Sequence, residues 1–360
     1  MVKEKVIIVG AGLIGASIAY RLAAQGADVT VVEAAQAASG ASGHSFGWIN
    51  ASFLANEAHH QFRVQGIEAY RRLQTDLPEL SVTWPGCLWW EEQGEGLERM
   101  QAQLEALGYP VERLDGRAFA ARAPAIPAPG EALFFPSEGV VDAAHLTRLL
   151  LESASAMGAR SIFGCAAEGI EVRSGRVAGL RIVQGVLPAD HIVIAAGNGS
   201  TDLMAGVDVA LPMLRRPGAL LRTRAVPSIL HHVMVSPDLE VRQDSAGRII
   251  APSSAAHQAD NREDLADTPD RLADDTLMRL RTLLPGVDLV QDQIAVALRP
   301  VPGDGLPVVG QCGPDGLYLA VMHSGVTLGA LIGELAAEEM LSGSENKLLT
   351  GYRPQRFSAC

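Results

Sequence analysis

The sequence predicts an α/β fold that opens with a strand, a tight turn, a helix and a second strand of one parallel sheet. Lys5–Val9 is a continuous apolar run, as expected of a strand buried on both faces of such a sheet. The glycine pattern of residues 10–15 (GAGLIG) follows at once, and apolar residues then recur at helical spacing up to Gly26. A second apolar run over residues 29–32 ends at Glu33. This order is that of a Rossmann-like, dinucleotide-binding unit.

Glycine is expected at each of the three positions of this turn for a different physical reason. Gly10 permits the tight turn, Gly12 lets the backbone approach a diphosphate, and Gly15 lets the helix pack close to the strand. The helix N-terminus presents free N–H groups and a partial positive charge to the phosphates. The carboxylate of Glu33 can accept hydrogen bonds from a ribose diol and would repel the 2′-phosphate of NADP. The candidate dinucleotide contacts are Gly10, Ala11, Gly12, Leu13, Ile14, Gly15, Glu33 and Ala34.

A small, hydroxyl-rich segment, residues 38–47, follows the second strand. The glycine pattern alone does not separate FAD from NAD, but a loop of this composition can wrap a long ligand such as FAD, with serine hydroxyls at the diphosphate or at the flavin edge. A solvated loop, and a turn that holds no ligand, are the alternatives at these two places. The candidate contacts in the loop are Ser39, Ala41, Ser42, Gly43 and His44.

Two stretches together carry a family resemblance: VIIVGAGLIGASIAYRLAAQGADVTVVE, which includes the turn, and ASGASGHSFGWIN, which includes the loop. They resemble the N-terminus of the D-amino-acid oxidase superfamily, especially its glycine oxidase and sarcosine oxidase branch. Four later landmarks agree in order: residues 135–142 (FPSEGVVD), 191–197 (HIVIAAG), 299–310 (RPVPGDGLPVVG) and 323–327 (HSGVT). The resemblance implies an enzyme that uses FAD to oxidise C–N bonds of amino acids.

The resemblance also implies two domains. A Rossmann-like FAD-binding domain of the GR2 type is expected from residues 1–83, 137–212 and 295–360. A second, α+β substrate domain built on an antiparallel sheet is expected from residues 84–136 and 213–294. The chain would then cross between the domains several times, so that both are discontinuous.

Two places further along the chain add cofactor contacts. The apolar strand at residues 192–196 ends at Gly197, where in the family the backbone runs past the flavin dinucleotide; an ordinary strand-to-loop glycine is the alternative. A helix predicted over residues 327–341 has an N-terminus suited to the N1–C2 carbonyl edge of flavin, which becomes negative on accepting a hydride; a merely capped helix is the alternative. The contacts expected here are Ala196, Gly197, Arg299, His323, Ser324, Gly325, Val326 and Thr327.

Oxidising an amine with flavin requires few protein groups, chiefly those that hold the C–H bond over the flavin N5 atom. The carboxylate of an amino-acid substrate calls for an arginine, and Arg299 stands at the arginine of the glycine oxidase R-P motif; an interdomain salt bridge is the alternative. His44 and His323 flank the expected flavin site, and either one can contact flavin, modulate substrate protonation or be structural. The candidate catalytic residues are Arg299, His44 and His323, and the candidate substrate contacts are Arg299, Trp48, Arg242 and Arg248.

Two departures from relatives limit what the resemblance implies. Monomeric sarcosine oxidases tether FAD through a cysteine just ahead of the motif that begins at Arg299, where this chain has Ala297, so non-covalent FAD is expected. They also use a lysine above the flavin to activate oxygen, and no lysine lies between Lys5 and Lys347. Either oxygen or another electron acceptor is therefore possible. A covalent link of FAD through His44, like the histidine link of dimethylglycine dehydrogenases, is the alternative to non-covalent binding.

Composition restricts the partners. With 29 Lys+Arg against 41 Asp+Glu, the net charge of −12 disfavours nucleic-acid binding. Four widely separated cysteines without a CxxC pair predict neither a metal site nor a disulfide framework, which favours a reducing cytoplasm. No run approaches the ~18 uncharged apolar residues of a membrane span. The expected partners are a small amine or amino-acid substrate and an electron acceptor, and a homo-oligomer stays open.

Two other functions stay open on the sequence alone. Residues 1–33 by themselves would permit an NAD-dependent dehydrogenase, because the glycine fingerprint is shared. A non-catalytic flavin subunit that passes electrons within a larger complex would carry the same cofactor motifs.

Overall fold

The computed structural model describes residues 4–254 and 261–357. The α-helices in this part of the chain are α1 Leu13–Ala24, α2 Glu57–Asp76, α3 Glu95–Ala106, α4 Gly116–Arg122, α5 Ala143–Ala156, α6 Ser200–Ala205, α7 Pro269–Leu283 and α8 Gly325–Ser342. The helix predicted after the glycine turn is confirmed as α1, and the helix predicted over residues 327–341 is confirmed as α8. None of the helices described is long and apolar enough to cross a membrane.

The strands are short and come from every part of the chain. In chain order they are β1 Lys5–Val9, β2 Asp28–Val32, β3 Trp48–Ile49, β4 Val82–Thr83, β5 Cys87–Trp89, β6 Glu112–Asp115, β7 Glu131–Phe135, β8 Gly139–Val141, β9 Arg160–Ile162, β10 Ala167–Arg173, β11 Arg176–Ile182, β12 Gly185–Pro188, β13 His191–Ile194, β14 Met213–Leu214, β15 Pro217–Ala225, β16 Val233–Val235, β17 Glu240–Gln243, β18 Arg248–Pro252, β19 Gln291–Leu298, β20 Val301–Pro302, β21 Val308–Gln311 and β22 Leu317–Val321. Most of them belong to two large sheets.

The first large sheet has six strands in the order β21-β22-β13-β1-β2-β9, and β1 pairs in parallel with both β13 and β2. Side chains of β1 alternate between two cores. Val6 and Ile8 pack with the helices α1, α5 and α8, whereas Ile7 and Val9 pack with the three-stranded sheet β10-β11-β12. Because both faces are covered, β1 is apolar at each of these positions. The predicted Rossmann-like fold is confirmed.

The second large sheet has eight strands in the order β19-β15-β18-β17-β16-β5-β7-β6. Its neighbours are antiparallel except β16 and β5, which run parallel because separate segments of the chain contribute them. One face, with Leu221 and Ile249, packs against α4 and α7. The opposite face, with Leu220 and Ile250, packs towards the helices that cover the first sheet. The predicted second, α+β unit therefore lies against the parallel sheet, and a cleft runs between them.

Candidate active site

A cleft of about 210 Å³ opens where the two sheets meet. It is formed by the N-terminus of α1, residues 41–50, the adjoining strands β15 and β19, and the N-terminus of α8. Segments far apart in the chain thus converge on one space. Of the residues predicted from the sequence, those that line it are Leu13, Ile14, Ala41, Ser42, His44, Trp48, Arg299, His323, Ser324, Gly325, Val326 and Thr327.

The glycine turn lies directly behind this cleft. Gly10 has a φ of 109°, and a Cβ there would lie 2.5 Å from the carbonyl oxygen of Ala195. A Cβ on Gly15 would lie 2.0 Å from the carbonyl oxygen of Gly10. Gly12 differs, because its Cβ would meet only the hydroxyl of Ser42, at 3.2 Å, among the described residues. Packing therefore requires glycine at positions 10 and 15, whereas at position 12 a Cβ would press on that rotatable hydroxyl, beside the N–H groups at the start of α1 that suit a diphosphate.

Glu33 follows β2 beside the turn. Its carboxylate accepts hydrogen bonds from the backbone N–H of Ala11 at 2.8 Å and of Ala35 at 2.9 Å. These bonds tie the turn to the second strand, and the contact of Glu33 with a ribose stays a prediction. Ala34 and Ser39, two other predicted contacts, are exposed nearby and do not line the cleft.

Three further predicted cofactor contacts also lie outside the lining of the cleft. Ala196 packs against the turn, since its Cα would lie 3.0 Å from a Cβ on Gly10. Gly197 has a φ of 57° and begins a 3-10 turn after β13. Gly43 lines a neighbouring, larger cleft. Their contact with the cofactor stays a prediction.

His44 lies in the loop between β2 and β3 and is half-buried. Its Nδ1 atom is shielded from solvent and has no hydrogen-bond partner in the part of the chain that the structure describes. An unpaired buried polar atom costs about 1–3 kcal/mol, so a ligand that hydrogen-bonds there would remove this cost. The loop side of the cleft thus offers a polar contact to a bound molecule.

The N-terminus of α8 forms the opposite side of the cleft. Ser324 precedes the helix with a left-handed φ of 57°, and its side chain makes no capping hydrogen bond. The first N–H groups of α8 therefore carry their partial positive charge towards the cleft. Several hydrogen bonds fix this end, among them that from the backbone N–H of Asn50 to Thr327 Oγ1 at 3.2 Å and that from the Tyr70 hydroxyl to the carbonyl of Val326 at 2.6 Å.

Arg299 reaches the cleft from the eight-stranded sheet, directly after β19. Its backbone N–H donates to the carbonyl oxygen of Arg216 at 2.8 Å, and its Nε donates to the same oxygen at 3.4 Å. These bonds hold the base of the side chain. Arg299 lines the same cleft as His44 and His323, so the three candidate catalytic residues come together from three separate segments.

Arg242 and Arg248 do not line that cleft but a second one, of about 980 Å³, which shares loop residues with the first. Arg242 is buried, its Nε donates to the carbonyl oxygen of Phe46, and burial lowers its pKa to about 10. Arg248 forms an ion pair with Asp244 at 2.8 Å. The structure therefore separates these two predicted substrate contacts from Arg299.

Comparison with known proteins decides the family. The model of the family described as FAD dependent oxidoreductase, DAO, matches residues 5–339. The chain belongs to this family. The resemblance predicted from the sequence is confirmed, and so is FAD as the cofactor of this oxidoreductase.

Individual relatives are distant in sequence. The bifunctional protein ThiO/ThiG of Nostoc sp. is 24% identical over 383 residues, which cover 98% of this chain and 55% of that protein. The oxidoreductase thus spans about half the length of that relative. The glycine oxidase of Geobacillus kaustophilus is 27% identical over 357 residues, covering 92% of each protein. A solved structure of glycine oxidase from the same organism superimposes with a TM-score of 0.86 at 23% identity, over 99% of this chain and 100% of that one.

The residues of the cleft fit FAD. The start of α1 would supply N–H groups to the diphosphate, and the lack of a side chain at Gly12 would let the diphosphate approach this backbone. The Nδ1 of His44, which has no partner among the described residues, and the uncapped start of α8 would offer polar contacts to a flavin ring. These are the groups that would hold the cofactor in the oxidoreductase.

Arg63 also lines the cleft, although the sequence did not point to it. It lies on α2 and is buried, which lowers its pKa to about 10. It donates to the carbonyl of Asn50 at 2.9 Å, to the side-chain oxygen of Asn50, and to the hydroxyl of Ser324 at 2.6 Å. The sequence does contain one indication of its burial: Arg63 follows Phe62 and precedes Ile67 by one turn, and all three lie on the buried face of α2.

Glu138 is completely buried behind the loop of the cleft. Its carboxylate accepts hydrogen bonds from Trp48 Nε1 at 3.0 Å, from the backbone N–H of Ser52 at 3.2 Å and from the Tyr109 hydroxyl at 3.1 Å. Burial raises the pKa of Glu138 to about 7, against the hydrogen bonds and the charge of Arg63, which lower it. Since its indole N–H is bound to Glu138, Trp48 presents only its ring to the cleft.

Replacing Glu138 by glutamine should change how the stability of the oxidoreductase depends on pH. Its pKa is about 7 in the folded state against an ordinary 4.5, so between these values the native state binds more protons than the unfolded state. The unfolding free energy of the wild type therefore loses a contribution of about 3 kcal/mol as pH rises through this range. The glutamine variant has no titrating group at this position and does not lose that contribution. The difference in unfolding free energy, Glu138→Gln minus wild type, should therefore rise by about this amount between about pH 5 and pH 8.

Equilibrium urea unfolding of both proteins at matched pH measures this difference. Burial lowers the pKa of His59 to about 4, which removes stability as pH falls below the ordinary value. The subtraction cancels that opposite contribution, because both proteins contain His59. A difference that does not vary with pH would contradict the assignment of a titrating carboxyl at Glu138.

Proposed function

We propose that the oxidoreductase oxidises a small amino acid or an N-substituted glycine-type amine. FAD, when bound, would supply flavin N5 as the acceptor of a hydride from the α-carbon or the N-substituent carbon of the substrate, and water would hydrolyse the resulting imine. The observation that carries the proposal is the position of Arg299, which lines the same cleft as the starts of α1 and α8. The relative named glycine oxidase, 27% identical, supports the same substrate class.

Arg299 would bind the carboxylate of the substrate. A guanidinium presents paired N–H donors that match both oxygens of a carboxylate, which orients the rest of the molecule. Leu220, Ala297 and Met322 line the cleft with it, and these apolar neighbours strengthen an ion pair by excluding water. The carboxylate is thereby held at one end, and the amine carbon is directed along the cleft.

His44 and His323 would act at the amine end. A substrate ammonium has to lose a proton before its carbon can release a hydride, and an imidazole nitrogen can accept that proton. His44 lines the cleft on the loop side, and its imidazole would accept that proton. His323, at the α8 side, would hydrogen-bond the cofactor.

The described residues that line the cleft do not identify the electron acceptor. Its cations in the described part of the chain are Arg63 and Arg299, and no lysine lines it. The lysine that related oxidases use with oxygen therefore has no counterpart here. Both oxygen and a different acceptor are compatible with the proposed amine oxidation, with FAD held non-covalently.

The test is an anaerobic titration of the FAD-loaded protein with amino acids and with N-methyl and N-carboxymethyl amines. At least one carboxylate-bearing amine is expected to bleach the oxidised flavin, and readmitted air then shows whether oxygen restores it. If no amine bleaches the flavin and NADH does, a nicotinamide-dependent reaction replaces the proposal. If neither does, the chain is an electron-transfer subunit and the proposal is wrong.

A further inference from the structure

Arg63 is a buried cation that forms no ion pair in the part of the chain that the structure describes. The residue is 4% exposed. Within residues 4–254 and 261–357 its hydrogen bonds go to neutral oxygens: the backbone and side-chain oxygens of Asn50 and the hydroxyl of Ser324. Burying a charge without an opposite charge is costly, so a protein keeps such a group where an anion can lie beside it.

Glu138 does not supply that anion. It attracts Arg63 electrostatically but makes no ion pair with it among the described residues. Its carboxylate oxygens are instead engaged by Trp48, Ser52 and Tyr109. The positive charge of Arg63 is therefore left incompletely balanced inside the protein.

Ser324 links this charge to the cleft. Its hydroxyl accepts the hydrogen bond of Arg63, so its own proton points away from the guanidinium, and both residues line the cleft. Ser324 also precedes the uncapped start of α8, whose N–H groups add positive potential at the same wall. An anion at this wall would interact favourably with all three.

We propose that Arg63, acting through Ser324, raises the reduction potential of the bound FAD by stabilising the negative charge of its reduced form. The inference rests on the proposed function, because an amine is what reduces the flavin. The amine carbon gives up a hydride, that is two electrons and one proton, and the iminium nitrogen releases a proton to solvent. The reduced flavin keeps one negative charge until an acceptor, such as oxygen, takes the electrons. Arg63 is thus a positioning residue, not one that touches the substrate.

The test compares FAD-loaded wild type with Arg63→Gln, Arg63→Lys and a control, Arg72→Gln. Arg72 lies on the same helix, but its side chain is 50% exposed and pairs with Glu334 at 2.6 Å. Two quantities are measured: the midpoint potential of the flavin against a redox dye, and the Kd of sulfite, which adds to oxidised flavin as an anion. Neither measurement needs an amine substrate, so both remain valid if amine oxidation fails.

Removing the charge at position 63 should weaken sulfite binding about tenfold and lower the reduction equilibrium constant by a similar factor. For a two-electron couple this is about 30 mV. Arg63→Lys should retain much of the wild-type behaviour, and Arg72→Gln should retain all of it. A merely structural Arg63 predicts a lower Tm with unchanged potential and sulfite Kd, and that result overturns the proposal.

Arg63→Gln can fail to fold, because the side chain is buried. Ser324→Ala then decides the question, since it removes the hydroxyl through which Arg63 acts and leaves the guanidinium in place. A several-fold weaker sulfite affinity and a lower potential support the proposal. Wild-type values in Ser324→Ala overturn it.

Discussion

Replacing Gly12 by valine should abolish FAD binding while leaving the apoprotein folded. The backbone at Gly12 has a φ of −78°, which valine adopts without strain, and the added Cβ meets only the Ser42 hydroxyl at 3.2 Å among the described residues. The valine methyl groups would instead project beside the start of α1, where the diphosphate would be held. We expect the Kd of FAD to rise at least about 100-fold, or about 2.7 kcal/mol. Fluorescence titration of apoprotein with FAD measures it.

Two other glycine variants make this result specific. Gly15→Ala should lower the Tm of the apoprotein, because its Cβ would lie 2.0 Å from the carbonyl oxygen of Gly10. Gly130→Val should affect neither FAD binding nor folding, since no atom of the described residues lies within 4 Å of a Cβ at that exposed position. If Gly12→Val binds FAD with wild-type affinity, the diphosphate does not lie at this turn.

Replacing Arg299 by alanine should cost about 10³-fold in kcat/KM for an amino-acid substrate. Truncating one partner of a buried charge pair costs 2–5 kcal/mol, and about 4 kcal/mol corresponds to that factor. Most of the loss should appear in KM, because the carboxylate is the group that loses its partner. The absorbance of bound FAD should not change. Steady-state kinetics with the best amine from the anaerobic panel, and with its analogue lacking the carboxylate, measure the effect.

The analogue and a control variant separate the role of Arg299 from a general disturbance. The amine without a carboxylate should react equally with wild type and Arg299→Ala. Arg224→Ala removes an exposed arginine from β15 of the same sheet and should leave both substrates unaffected. Wild-type turnover of the amino acid by Arg299→Ala would show that another residue binds the carboxylate.

The first strand, turn and helix could be predicted from the sequence because their determinants are local. The glycines at positions 10 and 15 are required by contacts between residues close in the chain or by backbone conformation, and the apolar run of Lys5–Val9 indicates a strand covered on both faces. The α8 helix was equally clear from its spacing. The resemblance to a family then related these local motifs to one another.

Arg63 could not be predicted, because its role depends on a residue 261 positions away, Ser324. Its position on the buried face of α2 indicates burial but not what it contacts. For Arg242 and Arg248 the missing information was strand register. Arg242 stands opposite Ile250, and a shift of one residue would turn its side chain to the other face of the sheet. Local sequence does not fix that pairing.

The positions proposed for FAD and for the substrate carboxylate are tested most directly by a crystal structure of the chain with FAD and a small unreactive carboxylate such as glycolate. We expect the diphosphate at Gly12 and the start of α1, the flavin ring between residues 41–50 and the strands β15 and β19, and the glycolate carboxylate paired with Arg299. A diphosphate bound elsewhere, or a carboxylate that leaves Arg299 without contact to it, would contradict the account.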